Sequence, residues 1–428
     1  MASMKYNNLI LICSRCCSTT AKSQFGHHAP GVARLNHGSF GSVPSTVLKY
    51  QDEIRRSWLA QPDEWYFTGK LNQKQKEAAR STIPHLTRDD ASSISDDQIC
   101  FVENATVATV AIARRWSKII KPDDVIIVLS VGYKASLNVL REYCESVGAK
   151  LEVLKIPFPP TSPNEIIEHV KGQLRNLPKK PRFALLDHIS SQPAILLPTA
   201  ELSELVRRYG ESDIEVAVDG AHSIGSTIFD VKELGCDWFF SNLHKWGFTP
   251  AASTIMYAAN PALMKATIHP ITSWTWGQGL AVESQFPGTR DFSSILTSPA
   301  AMEFLSSWRS CSGETAISYS HRRVLESASY LANLWGTKEY SSLNPDLIAT
   351  QAMVRLPLNL RVEDVPGRPG IGIRAMLRND YNVEAAIGNF GPELGSYVRL
   401  SYGIYNTQKD IEMLENGVLD ILKRQQEK

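Results

Sequence analysis

Short hydrophobic runs alternate with amphipathic stretches over most of the chain beyond residue 46. Each run is bounded by polar residues, glycine or proline, and we predict strands over 125–129, 151–156, 183–187, 215–219, 238–241 and 253–257. Apolar residues recur at helical spacing between several of these runs, over 134–146, 166–174 and 199–209. Strands that are apolar on both faces and alternate with helices indicate a mostly parallel sheet covered on both sides.

The pattern changes after the Thr297-Ser298-Pro299 segment. We predict a long helical stretch over 300–335, followed by a segment of different texture over 351–358, a turn at 366–370, a helix over 373–380 and a strand over 397–402. This mixture indicates a smaller α+β domain of residues 299–428, which follows a large domain of residues 46–298. Residues 31–45 form a separate N-terminal segment in this division, and residues 1–30 form a leader.

The start of the chain is basic and rich in hydroxyl groups. Its first acidic residue is Asp52, and five basic residues precede it: Lys5, Arg15, Lys22, Arg34 and Lys49. Such an acid-free start is typical of an organelle transit peptide, more often mitochondrial than secretory. The alternative is the unprocessed tail of a cytosolic enzyme. We therefore predict a mitochondrial or a cytoplasmic location.

Composition excludes several classes of function. The 428 residues include 45 Lys and Arg against 44 Asp and Glu, a balance that argues against a general nucleic-acid binder. No apolar run approaches the ~20 residues that cross a bilayer, so we expect no membrane partner. Seven scattered cysteines do not form a disulfide framework. The Cys13-x-x-Cys16 pair has no second Cys or His pair to complete a zinc site, and we predict no metal. A small anionic ligand is compatible with this balance.

Two predicted strands lead to charged residues. The strand over 215–219 ends at Asp219 and a tight turn, and the strand over 238–241 leads to Lys245 between His244 and Trp246. In a parallel α/β sheet, ligands gather at the carboxyl ends of the strands. A lysine in a low-dielectric pocket forms Schiff bases, and a carboxylate holds the proton on the ring nitrogen of pyridoxal phosphate. The alternatives are a solvated surface lysine and an aspartate that caps the next helix, but the occurrence of both residues at strand ends favours that cofactor.

A third candidate element is the segment Glu103-Asn104-Ala105-Thr106, where an apolar run gives way to a helical pattern. Free backbone amides at a helix N-terminus, beside a threonine hydroxyl, form a phosphate cradle. The alternative is an ordinary helix cap.

Four motifs together resemble one family. They are Asn104-Ala105-Thr106, Asp219-Gly220-Ala221-His222, Asn242-Leu243-His244-Lys245-Trp246 and Pro287-Gly288-Thr289-Arg290-Asp291. They are similar to motifs of the class V aminotransferase-type enzymes, and most similar to the isopenicillin-N-epimerase-like and L-cysteine-desulfhydrase-like branch. The resemblance covers roughly residues 33–420. It implies the α/β architecture of fold type I pyridoxal phosphate enzymes, with a large domain built on a mostly parallel seven-stranded sheet and a smaller α+β C-terminal domain.

The resemblance also implies roles for individual residues around the cofactor ring. Lys245 would form the Schiff base and move the Cα proton, and Asp219 would pair with the pyridinium nitrogen. His222 would lie near the ring hydroxyl or the aspartate, and Tyr133 would stack on the ring. Ser190, or its neighbour His188, would bond the ring hydroxyl.

The phosphate and the substrate have their own predicted contacts. Ala105, Thr106 and His244 would bind the phosphate, and Thr289 would reach the phosphate of a neighbouring subunit, which implies a homodimer. Arg399 would grip the α-carboxylate of an amino-acid substrate, because a bidentate guanidinium fits that group. Asn36 and His37 would lie over the same mouth.

The lack of a cysteine near the C-terminus bears on which reaction the resemblance implies. Cysteine desulfurases carry a nucleophilic cysteine in the C-terminal region, whereas this chain has no cysteine beyond Cys311. We therefore expect a C–S lyase that eliminates the thiol from L-cysteine or a cysteine derivative to give sulfide, pyruvate and ammonia. An amino-acid epimerase or racemase, or a class V aminotransferase, is the alternative within the cofactor class. A catalytically silent scaffold is the alternative outside it, and a nicotinamide enzyme is disfavoured because no G-x-G-x-x-G motif follows the first strand.

Overall fold

The computed structural model describes residues 23–360 and 372–427 of the chain. Most of the predicted leader and the predicted turn at 366–370 lie outside the described residues. The main element is a seven-stranded sheet in the order β2-β8-β7-β6-β5-β3-β4. Its strands are β2 (Ile99–Val102), β3 (Val125–Leu129), β4 (Lys150–Leu154), β5 (Pro181–Asp187), β6 (Glu215–Asp219), β7 (Trp238–Asn242) and β8 (Thr254–Ala258). All neighbouring strands are parallel except β8, which is antiparallel to both of its neighbours. The predicted mostly parallel seven-stranded sheet is thus confirmed.

The sheet is covered on both faces, and the strand β3 illustrates why its sequence is continuously apolar. Val125, Ile127 and Leu129 belong to one hydrophobic core, whereas Ile126 and Val128 belong to the core on the other face. A strand with two buried faces needs apolar side chains at every position, not at alternate ones.

Helices of the first 307 residues surround this sheet or lead into it. They are α1 (His37–Phe40), α2 (Ser45–Ala60), α3 (Pro62–Phe67), α4 (Lys70–Arg80), α5 (Ala105–Trp116), α6 (Lys134–Val147), α7 (Pro163–Arg175), α8 (Thr199–Tyr209), α9 (Pro261–Ala266), α10 (Leu280–Glu283), α11 (Ser293–Leu296) and α12 (Ser298–Ser307). The helix α5 begins where Asn104 caps it, because the Asn104 side chain accepts the Val107 amide at 3.0 Å.

A second core lies around a three-stranded antiparallel sheet in the order β11-β12-β9. This part contains β9 (Gln351–Arg355), β10 (Val383–Glu384), β11 (Ala386–Asn389), β12 (Ser396–Ser401) and the helices α13 (Ala316–Leu334), α14 (Ile373–Tyr381) and α15 (Gln408–Gln426). The N-terminal strand β1 (Ala33–Arg34) pairs with β10 in parallel, and Ala33 and Leu35 are buried in this second core.

The prediction of one long helix over 300–335 is wrong. The chain forms α12 and α13 instead, separated by a loop over 308–315. Trp308 has an extended backbone, Gly313 has a positive φ of 84°, and the Ser310 hydroxyl accepts the Glu314 amide at 3.1 Å. These local bonds replace the helical ones, so the helix cannot continue across the loop.

The proposed division at residue 298 stays a prediction. The helix α12 packs into the large core through Ala301, Met302 and Leu305, whereas the second core takes in α13 from Val324 onwards. No helix among the described residues is long and apolar enough to span a membrane.

Candidate active site

An open cleft of about 630 Å³ lies at the carboxyl ends of the parallel strands. The strands β5, β6 and β7 end there, and their last residues or the turns after them reach the cleft, as expected for a parallel α/β sheet. The residues that line the cleft are Gly38, Ser39, Phe40, Asn104, Ala105, Thr106, Val107, Tyr133, Asp187, Ile189, Ser191, Asp219, Ala221, His222, Asn242, His244 and Lys245. Segments far apart in the sequence therefore meet around one lysine.

The loop that carries Lys245 is fixed from both sides by glycines. Gly41 has a φ of 67°, and a Cβ atom there would lie 2.1 Å from the His244 carbonyl oxygen. Gly225 has a φ of 83°, and a Cβ atom there would lie 2.1 Å from the Trp246 carbonyl oxygen. Only glycine combines this backbone conformation with such a close approach. The backbone of the Lys245 loop is therefore packed tightly between two other loops.

The Lys245 amine lies beside a histidine and not beside a carboxylate. Its Nζ atom is 3.0 Å from His222 Nε2. Burial is the main cause that lowers the pKa of Lys245, the negative charge of Asp219 opposes it and the positive charge of Arg399 adds to it, and together they bring the pKa to about 8. Burial, with Lys245 as the next cause, also lowers the pKa of His222 well below its usual value. A lysine with a lowered pKa supplies the neutral amine that nucleophilic and base chemistry requires.

Two carboxyl groups lie side by side at the ends of neighbouring strands. Asp187 on β5 pairs in register with Asp219 on β6, and both are buried. The Asp219 carboxylate accepts the Ala221 amide at 2.9 Å and faces the positive charge of Lys245, although burial raises its pKa. The Asp187 carboxyl has no hydrogen-bond partner among the described residues, and burial together with the charge of Asp219 raises its pKa well above the ordinary range. Asp187 is therefore the protonated member of the pair and Asp219 the charged one.

The N-terminus of α5 has one backbone amide left for a ligand. The Asn242 side chain accepts the Ala105 amide at 3.0 Å, and Asn104 accepts the Val107 amide. Neither the amide nor the hydroxyl of Thr106 has a partner within the described part of the chain, and Thr106 lines the cleft. The expectation that the Ala105 amide contributes is not supported, because Asn242 already occupies it. Thr106 alone offers a free amide and a hydroxyl at this positive helix end.

The guanidinium of Arg399 lies behind the cleft wall. It is 2% exposed and donates to the Ser191 carbonyl at 2.9 Å, to the Asn36 side chain at 2.9 Å and to the Ser39 hydroxyl at 2.7 Å. Its Nε atom is buried without a partner, and among the described residues it forms no ion pair. Burial lowers its pKa to about 10. A buried cation without a counter-charge is costly, so the site suits an anionic ligand.

The remaining predicted residues divide into two groups. Tyr133 and His244 line the cleft as expected, and the Tyr133 side chain is half exposed there. His37 does not line it: its Nδ1 is 3.2 Å from the Tyr405 hydroxyl and its Nε2 is 3.0 Å from the Lys245 carbonyl oxygen. His37 therefore holds the backbone of the Lys245 loop through this hydrogen bond. Thr289 is exposed and lies outside the cleft of this single chain.

Ser190 also departs from expectation. Its hydroxyl donates to the Pro193 carbonyl and accepts the Ile195 amide at 3.1 Å, so it is used within its own turn. The neighbouring Ser191 faces the cleft instead. His188 is buried and bonds the Ser223 hydroxyl at 2.8 Å, and it does not line the cleft either.

Several cleft residues have no individual prediction from the sequence. Asp187, Asn242, Ser39, Phe40 and Ser191 all line the cleft. Asp187 had a usable signal, because it ends a predicted strand just as Asp219 does. The serines had none, since their position depends on how the N-terminal segment and the turn after β5 meet Arg399.

These residues fit pyridoxal phosphate. The free amide and hydroxyl of Thr106 at a helix N-terminus suit a phosphate, the charged Asp219 suits a protonated ring nitrogen, and Lys245 with its lowered pKa suits the aldehyde. Fold and site together define a fold type I enzyme of this cofactor class.

The comparisons with known proteins agree. The family model described as Aminotransferase class-V matches residues 41–353. The L-cysteine desulfhydrase of Arabidopsis thaliana is 33% identical over 424 residues, which span 94% of this chain and 90% of that protein. The isopenicillin N epimerase of Streptomyces clavuligerus is 24% identical over 91% of this chain and 94% of its own length. The crystal structure of the cysteine desulfurase CsdA from Escherichia coli has a TM-score of 0.72 at 16% identity, and covers 95% of this chain and 98% of its own.

The chain belongs to the class V aminotransferase family. The predicted family, fold class and cofactor are therefore confirmed.

Proposed function

We propose that this chain is a pyridoxal phosphate-dependent C–S lyase that eliminates the thiol from L-cysteine or a cysteine derivative. With L-cysteine and one water molecule, the products are sulfide, pyruvate and ammonia. The observation that carries the proposal is the joint presence of Lys245, Asp219 and Thr106 around one open cleft, with Arg399 behind its wall. The similarity to a plant L-cysteine desulfhydrase over nearly the whole chain supports the choice of substrate.

The cofactor supplies an electron sink that stabilises negative charge on the substrate Cα. The Lys245 amine takes the proton from Cα, for which its lowered pKa suits it. Asp219 would keep a proton on the ring nitrogen, and Thr106 would bind the phosphate through its amide and hydroxyl. Arg399 binds the α-carboxylate and so orients the Cα–H bond toward Lys245. Tyr133 lines the cleft and is half exposed, so its ring would be available to stack on the cofactor ring.

None of the four cysteines in the described part of the chain takes part in this scheme. Within the described residues Cys100, Cys144 and Cys236 are buried, Cys311 is exposed, and none of the four lines the cleft. Burial raises the pKa of Cys100 and Cys236 to about 12, so both stay protonated. Sulfur therefore leaves as the free thiol and is not passed to any of these four cysteines.

We also propose a homodimer in which Thr289 completes the partner subunit's phosphate site. Thr289 is exposed, and on the same part of the chain Trp274 and Trp276 are 90% and 62% exposed. Large exposed apolar side chains favour burial against another protein surface. The location stays a prediction, mitochondrial or cytoplasmic, because most of the leader on which it rests lies outside the described residues.

The test is a visible spectrum of the purified protein with a sulfide assay on the same sample, for wild type, Lys245→Ala and Lys134→Ala. Lys134 is exposed next to Tyr133 and does not line the cleft, so its replacement is the matched control. We expect a cofactor band in wild type and Lys134→Ala that shifts with L-cysteine as sulfide appears, and neither change in Lys245→Ala. A shift without sulfide would favour the epimerase or aminotransferase alternative. A wild type that stays colourless after cofactor is added would refute the cofactor assignment and favour a silent scaffold.

A further inference from the structure

Three side chains form a continuous hydrogen-bonded row that leads from the cleft into the protein. The Trp246 indole nitrogen Nε1 donates to His222 Nδ1 at 3.4 Å, and His222 Nε2 lies 3.0 Å from Lys245 Nζ. Trp246 and His222 are each 2% exposed, so water does not compete for these atoms. Two of the three residues are neighbours in the sequence, but the histidine between them comes from the turn after β6.

The direction of every hydrogen in this row follows from the chemistry of tryptophan. An indole nitrogen donates and cannot accept, so His222 Nδ1 must be the acceptor and carries no hydrogen. His222 is neutral, because its burial lowers its pKa well below its usual value. A neutral imidazole carries one ring hydrogen, which must then lie on Nε2. That hydrogen points at Lys245 Nζ, and only a neutral amine has the lone pair to accept it.

We propose that Trp246 is a positioning residue, which selects the Nε2–H tautomer of His222 and thereby favours the neutral, proton-accepting form of Lys245. With the opposite tautomer, Nε2 would present a lone pair to Lys245 and would stabilise the ammonium form instead. The importance of this selection for catalysis rests on the proposed function, in which Lys245 is the base. The tautomer itself does not, since it follows from hydrogen bonds within the protein.

The structure holds the indole in place for this task. The Trp246 carbonyl meets Gly225, and the indole packs on the His37 ring with a centroid distance of 4.5 Å. His37 in turn is bonded to Tyr405 and to the Lys245 carbonyl oxygen. The indole therefore cannot turn away without disturbing the backbone that carries the lysine.

Other charged groups act on the same atoms and must be considered in any titration. His222 faces Lys245, Arg399, His244 and His37, all of which disfavour its protonation. Lys245 faces the negative Asp219 and the positive Arg399. None of these charged groups forms a hydrogen bond with His222 Nδ1. Trp246 does form one, and it therefore decides which ring nitrogen carries the hydrogen.

The experiment compares wild type with Trp246→Phe, which keeps an aromatic ring but removes the donor. The matched control is Trp238→Phe, because Trp238 is a fully buried tryptophan whose Nε1 has no hydrogen-bond partner. Both readouts use cofactor-free protein: the nitrogen NMR shifts of the His222 ring in protein labelled with ¹⁵N-histidine, and the pH dependence of chemical labelling of Lys245 by an amine-reactive reagent.

We expect wild type and Trp238→Phe to show His222 protonated on Nε2 only. In Trp246→Phe we expect a mixture of tautomers and a labelling rate of Lys245 at pH 7 that falls about tenfold, the size of one lost neutral hydrogen bond. Unchanged tautomer and labelling in Trp246→Phe would overturn the proposal, as would equal changes in both variants. If Trp246→Phe does not fold, the wild-type spectrum still decides, because a hydrogen on Nδ1 would contradict the proposal. A failed sulfide assay would refute the proposed function and leave these measurements unaffected.

Discussion

Replacement of Arg399 by glutamine tests whether this buried cation binds the substrate or only holds the cleft wall. In the structure it donates to Ser39, Ser191 and Asn36, and it has no carboxylate partner among the described residues. If Arg399 binds the α-carboxylate, its replacement should lower kcat/KM only for substrates that carry a carboxylate. If Arg399 only holds the cleft wall, kcat/KM should fall equally for substrates with and without a carboxylate.

The expected magnitude follows from the charges involved. A hydrogen bond to a charged group is worth about 1.5–3 kcal/mol, and the carboxylate would meet a guanidinium that is 2% exposed and unpaired among the described residues. We therefore expect the wild-type kcat/KM for L-cysteine to be about 100-fold higher than that for cysteamine, the analogue that lacks the carboxylate. The Arg399→Gln variant should reduce that preference to within about threefold, mainly through the loss of activity on L-cysteine.

The assay measures sulfide release from both substrates with wild type, Arg399→Gln and a control, Arg355→Gln. Arg355 lies on the neighbouring strand β9 and donates to the Ser396 and Leu356 carbonyl oxygens. The Arg355→Gln variant therefore shows how much activity is lost when the same three-stranded sheet is disturbed away from the cleft. An equal fall of kcat/KM for both substrates in Arg399→Gln would refute the carboxylate role and leave Arg399 as a structural residue. A preference for L-cysteine that persists in the variant would do the same.

Three further predictions concern the cofactor. Thr106→Val should weaken pyridoxal phosphate binding about tenfold, measured by equilibrium dialysis, whereas Thr109→Val should not, because the Thr109 hydroxyl bonds the Ala105 carbonyl inside the helix. Asp187→Asn should change kcat/KM less than about threefold, since asparagine mimics a protonated carboxyl, whereas Asp219→Asn should lower it more than about 100-fold; equal effects would contradict the assigned charges. The pKa of Lys245 is lowered to about 8, so its neutral amine is lost as pH falls through that value, and uptake of the cofactor by cofactor-free protein should slow about tenfold per pH unit below it. A flat pH profile between 6 and 8 would contradict about 8 as the pKa of this lysine.

The sequence by itself determined most strands of the seven-stranded sheet and the strand ends that lead to Asp219 and Lys245. Continuous apolar runs such as 125–129 predict strands buried on both faces, because the length and the apolar character of a strand depend only on its own residues. The position of Asp219 and Lys245 after two such runs places them at the carboxyl edge of a parallel sheet, whatever the remaining fold. The helix start at Asn104 is likewise a local signal, since a cap acts on the amides that follow it.

Other features depended on contacts between distant segments. Ser190 and Ser191 are adjacent and chemically identical, but only the tertiary structure directs Ser191 toward the cleft and uses the Ser190 hydroxyl within its own turn. Arg399 meets Asn36 across 363 residues, and Trp246 reaches Lys245 only through His222. Side-chain direction and hydrogen-bond partners are set by how segments pack together. The sequence therefore determined which chemistry is available, and only the tertiary structure decided which atoms it acts on.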